Sequence, residues 1–240
     1  MSLHANRFPN ESASYRESRD QLLEAEIKLR KSLEEVAAMR RKLPLGGEAP
    51  EDYVFTEGAR DLNDSRAEKK VRLSELFQPG KDTLAIYSYM YGPNMKEPCT
   101  SCTSILDGLN GTSPHANQRI NFVVVAKSPI QRIRAIARER GWNHLRILSS
   151  DGNTYNHDYQ GENAKGDQTP SLNIFARRDG KIYHRYNTEL LFAPKEPGQD
   201  GRHVDLLWPL WNLFDYTSEG RGTNWYPKLK YPEAAESTKS

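Results

Sequence analysis

Five consecutive apolar residues, Phe122–Ala126, follow Ile120 and Asn121 and run straight into Lys127. A run this short, rich in β-branched side chains and apolar on both alternating faces, belongs inside a sheet covered on both sides. Parallel strands linked by helices build such a sheet, and the flanking sequence agrees. Ser128-Pro129 opens a helix that continues through Arg140, with Ile130, Ile133, Ile136 and Ala137 on one face and Gly141 closing it. His144–Leu148 reads as the next strand and Asp151-Gly152 as a turn. Upstream, Thr83–Tyr91 is β-branched and aromatic, long enough for a central strand, and ends at Gly92-Pro93. After a short loop come Cys99 and Cys102, and Thr103–Leu109 is expected to be helical and to stop near Gly111.

The remaining segments fill in an α/β body. Asp52–Thr56 and Lys70–Phe77 read as two strands, the second turning into a short helix before Pro79-Gly80. Asn153–Gln168 is polar and expected to be a loop. Ser171–Ala176 and Lys181–Tyr186 form a hairpin across Asp179-Gly180, and residues 203–214 give a last helix, interrupted by Pro209. Ahead of all this, Glu11–Lys42 reads as one long helix. Leu22, Ala25, Leu29, Leu33, Val36 and Leu43 recur at helical spacing, Ser12 or Ser14 caps the start, and Pro44 with Gly46-Gly47 ends it. That stripe is expected to be covered by protein. Two units follow: a helical arm with its linker over residues 1–47, and an α/β domain with an aromatic tail over residues 48–240.

Charge excludes several functions. Lys and Arg total 34 against 32 Asp and Glu, a net +2 over 240 residues, which argues against a nucleic-acid binder. Lys127–Arg146 holds six basic residues and one acid, read here as a solvated face rather than an anion patch. The apolar runs are too short to span a bilayer, and residues 1–11 are polar, so no membrane attachment and a cytoplasmic location are expected.

The chain has only two cysteines, spaced Cys-x-x-Cys. Two thiols build neither a disulfide scaffold nor a four-thiolate metal site, and beside a strand–helix pattern this spacing reads as redox. At a helix start, backbone N–H groups and the macrodipole favour a thiolate at Cys99, and the spacing lets Cys102 attack a mixed disulfide formed there. Thr100 and Ser101 between them bring two hydroxyls to the motif. The six histidines show no metal-binding spacing, so neither a metal nor an organic cofactor is expected. The aromatic groups at 87–91 and 208–226 are read as core.

The order of strand, Cys-x-x-Cys, helix, strand, helix, strand, hairpin and helix resembles the thioredoxin superfamily over residues 50–215, particularly its peroxiredoxin-like branch. At finer grain the segments DYVF (52–55), CTSCTSILDGLNG (99–111), GW (141–142), ARRDGKIYHRYNT (176–188) and LLWPL (206–210) are similar to a bacterial domain-of-unknown-function family of predicted dithiol-disulfide oxidoreductases. The resemblance implies a thioredoxin-like fold with a central mixed sheet, catalysis by Cys99 and Cys102, and thiol or disulfide substrates. It also implies a cis bond between Thr169 and Pro170, which with Thr100 and Ser101 would shape a substrate groove. Two departures stand out. The strand before the motif carries Tyr87, Ser88, Tyr89 and Tyr91 but no buried acid, leaving the proton acceptor for Cys102 unassigned. Pro98 and Thr100 do not reproduce the Pro-x-x-x-Thr-x-x-Cys setting of a peroxidatic cysteine. The alternative reading is a non-catalytic thioredoxin-fold protein whose arm binds a partner or forms a homodimer.

Overall fold

A computed structural model describes residues 3–64, 67–197 and 206–231. The chain divides into two compact units, Met1–Pro44 and Leu45–Ser240. The first is built on α1 (Ala13–Lys42), a helix roughly 45 Å long at 1.5 Å per residue. The Ser12 hydroxyl accepts from the Tyr15 N–H at 3.1 Å, and Arg40, Arg41 and Lys42 sit where the helix dipole favours cations. No residue of α1 is buried. Leu22, Leu29, Leu33 and Val36, expected to be covered, are 43–59% exposed.

The second unit is a seven-stranded mixed sheet in the order β2-β1-β5-β4-β3-β6-β7. Its strands are β1 (Val54–Gly58), β2 (Glu68–Arg72), β3 (Thr83–Ser88), β4 (Asn121–Ala126), β5 (Ile147–Ser149), β6 (Ser171–Arg178) and β7 (Lys181–Asn187). β3, β4 and β5 are parallel neighbours, and the other pairings are antiparallel. β3 leads into α2 (Thr100–Ala116), and α3 (Ile130–Arg140) joins β4 to β5. This is the thioredoxin-like arrangement, with a hairpin added at the β5 edge.

Every residue of β4 is buried, as its composition requires, and alternation sends its side chains to two cores. Phe122, Val124 and Ala126 join Ala85, Tyr87, Cys102, Ile105, Leu106 and Trp142 beneath α2 and α3. Val123 and Val125 join Leu84, Ile86, Tyr53, Phe55, Tyr155 and Phe175 on the opposite face. Asp179 and Gly180, with φ of 52° and 76°, make the tight turn between β6 and β7 that the Asp-Gly pair favours.

Three expectations need correction. α2 does not stop near Gly111 but continues to Ala116, through Pro114. Tertiary contacts hold the extra turn: Ser113 donates to the His144 carbonyl at 3.1 Å, and the Asn110 side chain accepts from the His144 N–H at 3.0 Å. The polar segment after Asp151-Gly152 contains a short helix, α4 (Tyr155–Asp158), whose Tyr155 and Asn156 are buried. The basic residues of 127–146 are not a solvated face. Arg134 is 7% exposed and donates to the carbonyls of Ala59, Asp61 and Asp64, while Arg138 donates to that of Leu62. Arg146 pairs with Glu57, Arg140 with Asp107 and Lys127 with Glu162. These cations tie α3 and its flanks to the β1–β2 connection and to neighbouring elements. Of the helix expected at 203–214, the first three residues, His203 among them, lie outside the described residues, and α5 occupies Pro209–Phe214.

Candidate functional site

Cys99 and Cys102 lie where β3 hands over to α2. Beyond Ser88 the chain stays extended, with the Tyr89 N–H donating to the Val125 carbonyl at 2.8 Å. A loop then turns back so that the Cys99 N–H donates to the Met90 carbonyl at 3.0 Å. Side chains from α3 and from just ahead of it hold that loop. Ser128 donates to the Gly92 carbonyl at 3.0 Å, and Arg132 donates to the Pro93 and Met95 carbonyls while covering the Tyr91 ring at 4.6 Å. Gly92 is required by close approach, since a Cβ there would lie 2.9 Å from Cγ of Gln168.

Cys99 is the N-cap of α2, half-buried, with its own carbonyl accepting from the Thr103 N–H at 3.0 Å. Cys102, one turn on, is completely buried, and both are free thiols. The Cys102 thiol, the N–H groups of Cys102 and Ser101 and the Ser101 hydroxyl all favour a negative Cys99 sulfur. Against the opposing effect of burial they lower its pKa to about 6. The same contact and burial push Cys102 far up. One sulfur is thus prepared to ionise near neutral pH and the other to keep its proton.

The intervening residues are both half-buried. The Ser101 hydroxyl oxygen also lies within hydrogen-bond distance of the Tyr226 hydroxyl, at 2.7 Å. Nearby, the Trp208 indole N–H donates to the Ser104 hydroxyl at 3.0 Å, and Trp208 packs edge-on against Trp211 and Tyr226. Of the aromatic group at 208–226, expected to be core, Trp208 and Trp211 are buried, but Trp225 and Tyr226 are exposed. The contact between Ser101 and Tyr226 spans 125 residues of sequence, so no local pattern announces it.

Thr169 and Pro170, both half-buried, precede β6, whose Ser171 pairs with Ser88 at the end of β3 that leads to the motif. Their peptide bond is trans: no cis bond occurs among the described residues. This corrects the expected geometry. The Thr169 N–H is held by the Gly161 carbonyl at 2.9 Å, and a residue before proline favours extended backbone, which the ordinary trans form accommodates at the entry to β6. The structure therefore brings Cys99, Thr100, Ser101 and Cys102 together, and sets Thr169-Pro170 at the same end of the sheet.

A family described as "Bacterial protein of unknown function (DUF899)" matches residues 5–234. The chain belongs to this family. No curated protein matches it. Among solved structures, the reduced 2-Cys peroxiredoxin of Plasmodium vivax is 16% identical, with 72% of this chain and 99% of that one covered and a TM-score of 0.43. AhpC of Mycobacterium bovis is 15% identical over 71% of this chain and 96% of its own, at a TM-score of 0.43. The peroxiredoxin-like protein of Aquifex aeolicus is 18% identical over 60% and 75%, at 0.38. At such scores the thioredoxin-like assignment rests on the strand order and connections of this DUF899 protein itself. No helix among its described residues is long and apolar enough to cross a membrane.

Proposed function

We propose that this DUF899 protein is a thiol–disulfide oxidoreductase in which Cys99 is the nucleophile and Cys102 the resolving thiol. The observation that carries this is the asymmetry of the pair: a half-buried cysteine at the N-cap position of a 17-residue helix, one turn from a completely buried thiol. The Cys99 thiolate attacks a substrate disulfide, displacing one substrate thiolate and forming a mixed disulfide. Cys102 then attacks the Cys99 sulfur. The intramolecular disulfide forms, the second substrate thiolate leaves, and the substrate has gained two electrons. A dithiol donor returns the protein to its reduced state, and the same steps in reverse oxidise a substrate dithiol. Stabilising the Cys99 thiolate stabilises the reduced form, so it moves the couple toward the oxidising end of the range. Thr100, Ser101, Thr169 and Pro170 border the approach to Cys99.

The first test is the pH dependence of alkylation. Below its folded pKa Cys99 is a thiol and reacts slowly; above it, the thiolate reacts. Iodoacetamide modification of the native reduced protein is expected to rise with a midpoint near pH 6 and to fall on Cys99 alone. Equal labelling of both cysteines, or a midpoint at the ordinary thiol value, would remove the nucleophile assignment.

A second reading concerns the arm. Leu22, Leu29 and Val36 recur every seven residues along α1 and are exposed in the single chain, a spacing suited to self-association of helices. Sedimentation velocity of the full chain is expected to show a dimer that Leu29→Glu weakens at least tenfold, with Cys99 reactivity unchanged. A monomer at all concentrations would discard the homodimer.

A further inference from the structure

The tyrosine below the cysteine pair takes on a role that follows from its position. Tyr87 lies on β3 with its side chain in the core beneath α2, in the same cluster as Cys102, and is wholly buried. Its hydroxyl has no hydrogen-bond partner. A buried, unpartnered hydroxyl costs stability, and phenylalanine would fill the same space without that cost. The neighbouring Tyr89 shows the ordinary solution, its hydroxyl sharing a 2.8 Å hydrogen bond with Thr103. The groups that act on the Tyr87 hydroxyl are the two cysteines and Tyr89, and the hydroxyl in turn favours charge on Cys102, its neighbour in the same core cluster.

The titratable groups acting on Cys102 are Cys99 from the start of α2 and Tyr87 from β3, with Tyr89 beyond them. Residues 83–91 contain no carboxylate. Cys99 opposes ionisation of Cys102 while it is itself a thiolate, but in the mixed disulfide that charge is gone. Burial holds Tyr87 protonated, so it is available as a donor throughout the working pH range.

We infer that Tyr87 is a positioning residue for the second step, its hydroxyl donating to the Cys102 sulfur as that sulfur loses its proton and attacks Cys99. This deepens the oxidoreductase reading and rests on it. The balance is simple. The Cys102 proton passes to water or the departing substrate thiolate, the Cys99–Cys102 bond forms, and the bond from Cys99 to substrate sulfur breaks with its electron pair going to the substrate. Tyr87 keeps its own proton and supplies only the hydrogen bond.

The experiment uses the full chain and 5,5′-dithiobis(2-nitrobenzoate), a small aromatic disulfide whose thiolate product absorbs visibly. Stopped flow separates two releases: the first reports attack by Cys99, the second resolution by Cys102. In Tyr87→Phe the first phase is expected to stay within about twofold of wild type. The second is expected to slow about tenfold at pH 7, its pH–rate inflection moving up by about one unit. A general loss of packing would disturb the first phase or lower the second without moving its inflection. An unmoved inflection overturns the assignment of Tyr87. A ¹³Cβ-cysteine NMR titration of Cys102, with Cys99→Ala present alone or with Tyr87→Phe, reads the same hydrogen bond without any turnover. An upward shift in the double variant supports the role of Tyr87, and none refutes it. Absence of a fast first phase in wild type would sink the oxidoreductase reading separately.

Discussion

Cys99→Ser is expected to reduce turnover of a model protein disulfide to the uncatalysed rate, while Cys102→Ser accumulates a covalent mixed disulfide on Cys99. The difference follows from where the sulfurs lie. Only Cys99 meets solvent, and the N–H groups of Ser101 and Cys102 in the first turn of α2 favour charge on its sulfur. Cys102 is buried and raised, so it cannot begin the reaction, yet it lies against Cys99 and can finish it. A serine hydroxyl at position 99 has no accessible anion at neutral pH and is a poor nucleophile toward sulfur. The decrease should therefore exceed 10³-fold, on the order of the loss when a covalent nucleophile is removed. Cys99→Ser should cost little stability, being nearly isosteric at a half-buried position with no cross-link to lose, whereas Cys102→Ser buries a hydroxyl and is expected to lower stability modestly. Turnover assays run beside intact-mass spectrometry check both halves. Wild-type turnover in Cys99→Ser, or a substrate adduct on Cys102, would overturn the division of labour. The non-catalytic reading would then take its place.

The sequence makes the centre of the fold readable because the relevant patterns are local. A strand whose alternate faces are both apolar has to be central, and β4 feeds Val123 and Val125 to one core and Phe122, Val124 and Ala126 to the other. Asp179-Gly180 specifies its own turn, and Gly141 closes α3 with φ of 68°. Likewise a Cys-x-x-Cys at a strand–helix junction carries its N-cap geometry within a few residues. Features set by distant contacts are not visible this way. Gly111 predicts an early end to α2, yet bonds to His144 hold it through to Ala116. The arginines of α3 look like a surface stripe until the β1–β2 connection supplies carbonyls for them. Even the Thr169–Pro170 bond falls in this class: a proline marks where a cis bond is affordable, and only the surrounding chain decides whether it forms.

Lys127 and Glu162 illustrate how such distant contacts support the site, and their disruption is expected to have a large effect on stability. The Lys127 ammonium meets both Glu162 oxygens, one of them at 2.7 Å, and the Glu162 side chain is only 8% exposed. Glu162 also accepts from the Gln168 amide at 3.3 Å, and Asn156 joins Gln168 to the Ser150 hydroxyl. Gln168 in turn packs against Gly92 in the loop that leads to Cys99, and immediately precedes Thr169. Lys127→Met removes the cation and leaves a carboxylate with one weak hydrogen bond in a nearly dry site. Breaking a buried pair costs about 3–5 kcal/mol, and the lower end applies because a quarter of the Lys127 side chain reaches solvent. For a domain of this size that corresponds to a fall in Tm of roughly 6–12 °C. The penalty belongs to the stranded charge rather than to the lost attraction, so adding Glu162→Gln should restore more than half of it. Thermal denaturation of the two variants beside wild type measures this directly. If the double variant is as unstable as Lys127→Met, the ion pair itself holds the segment 161–168 against the Gly92 loop. If it recovers, the segment holds without the ion pair, and Cys99 should keep its alkylation midpoint near pH 6 in the double variant.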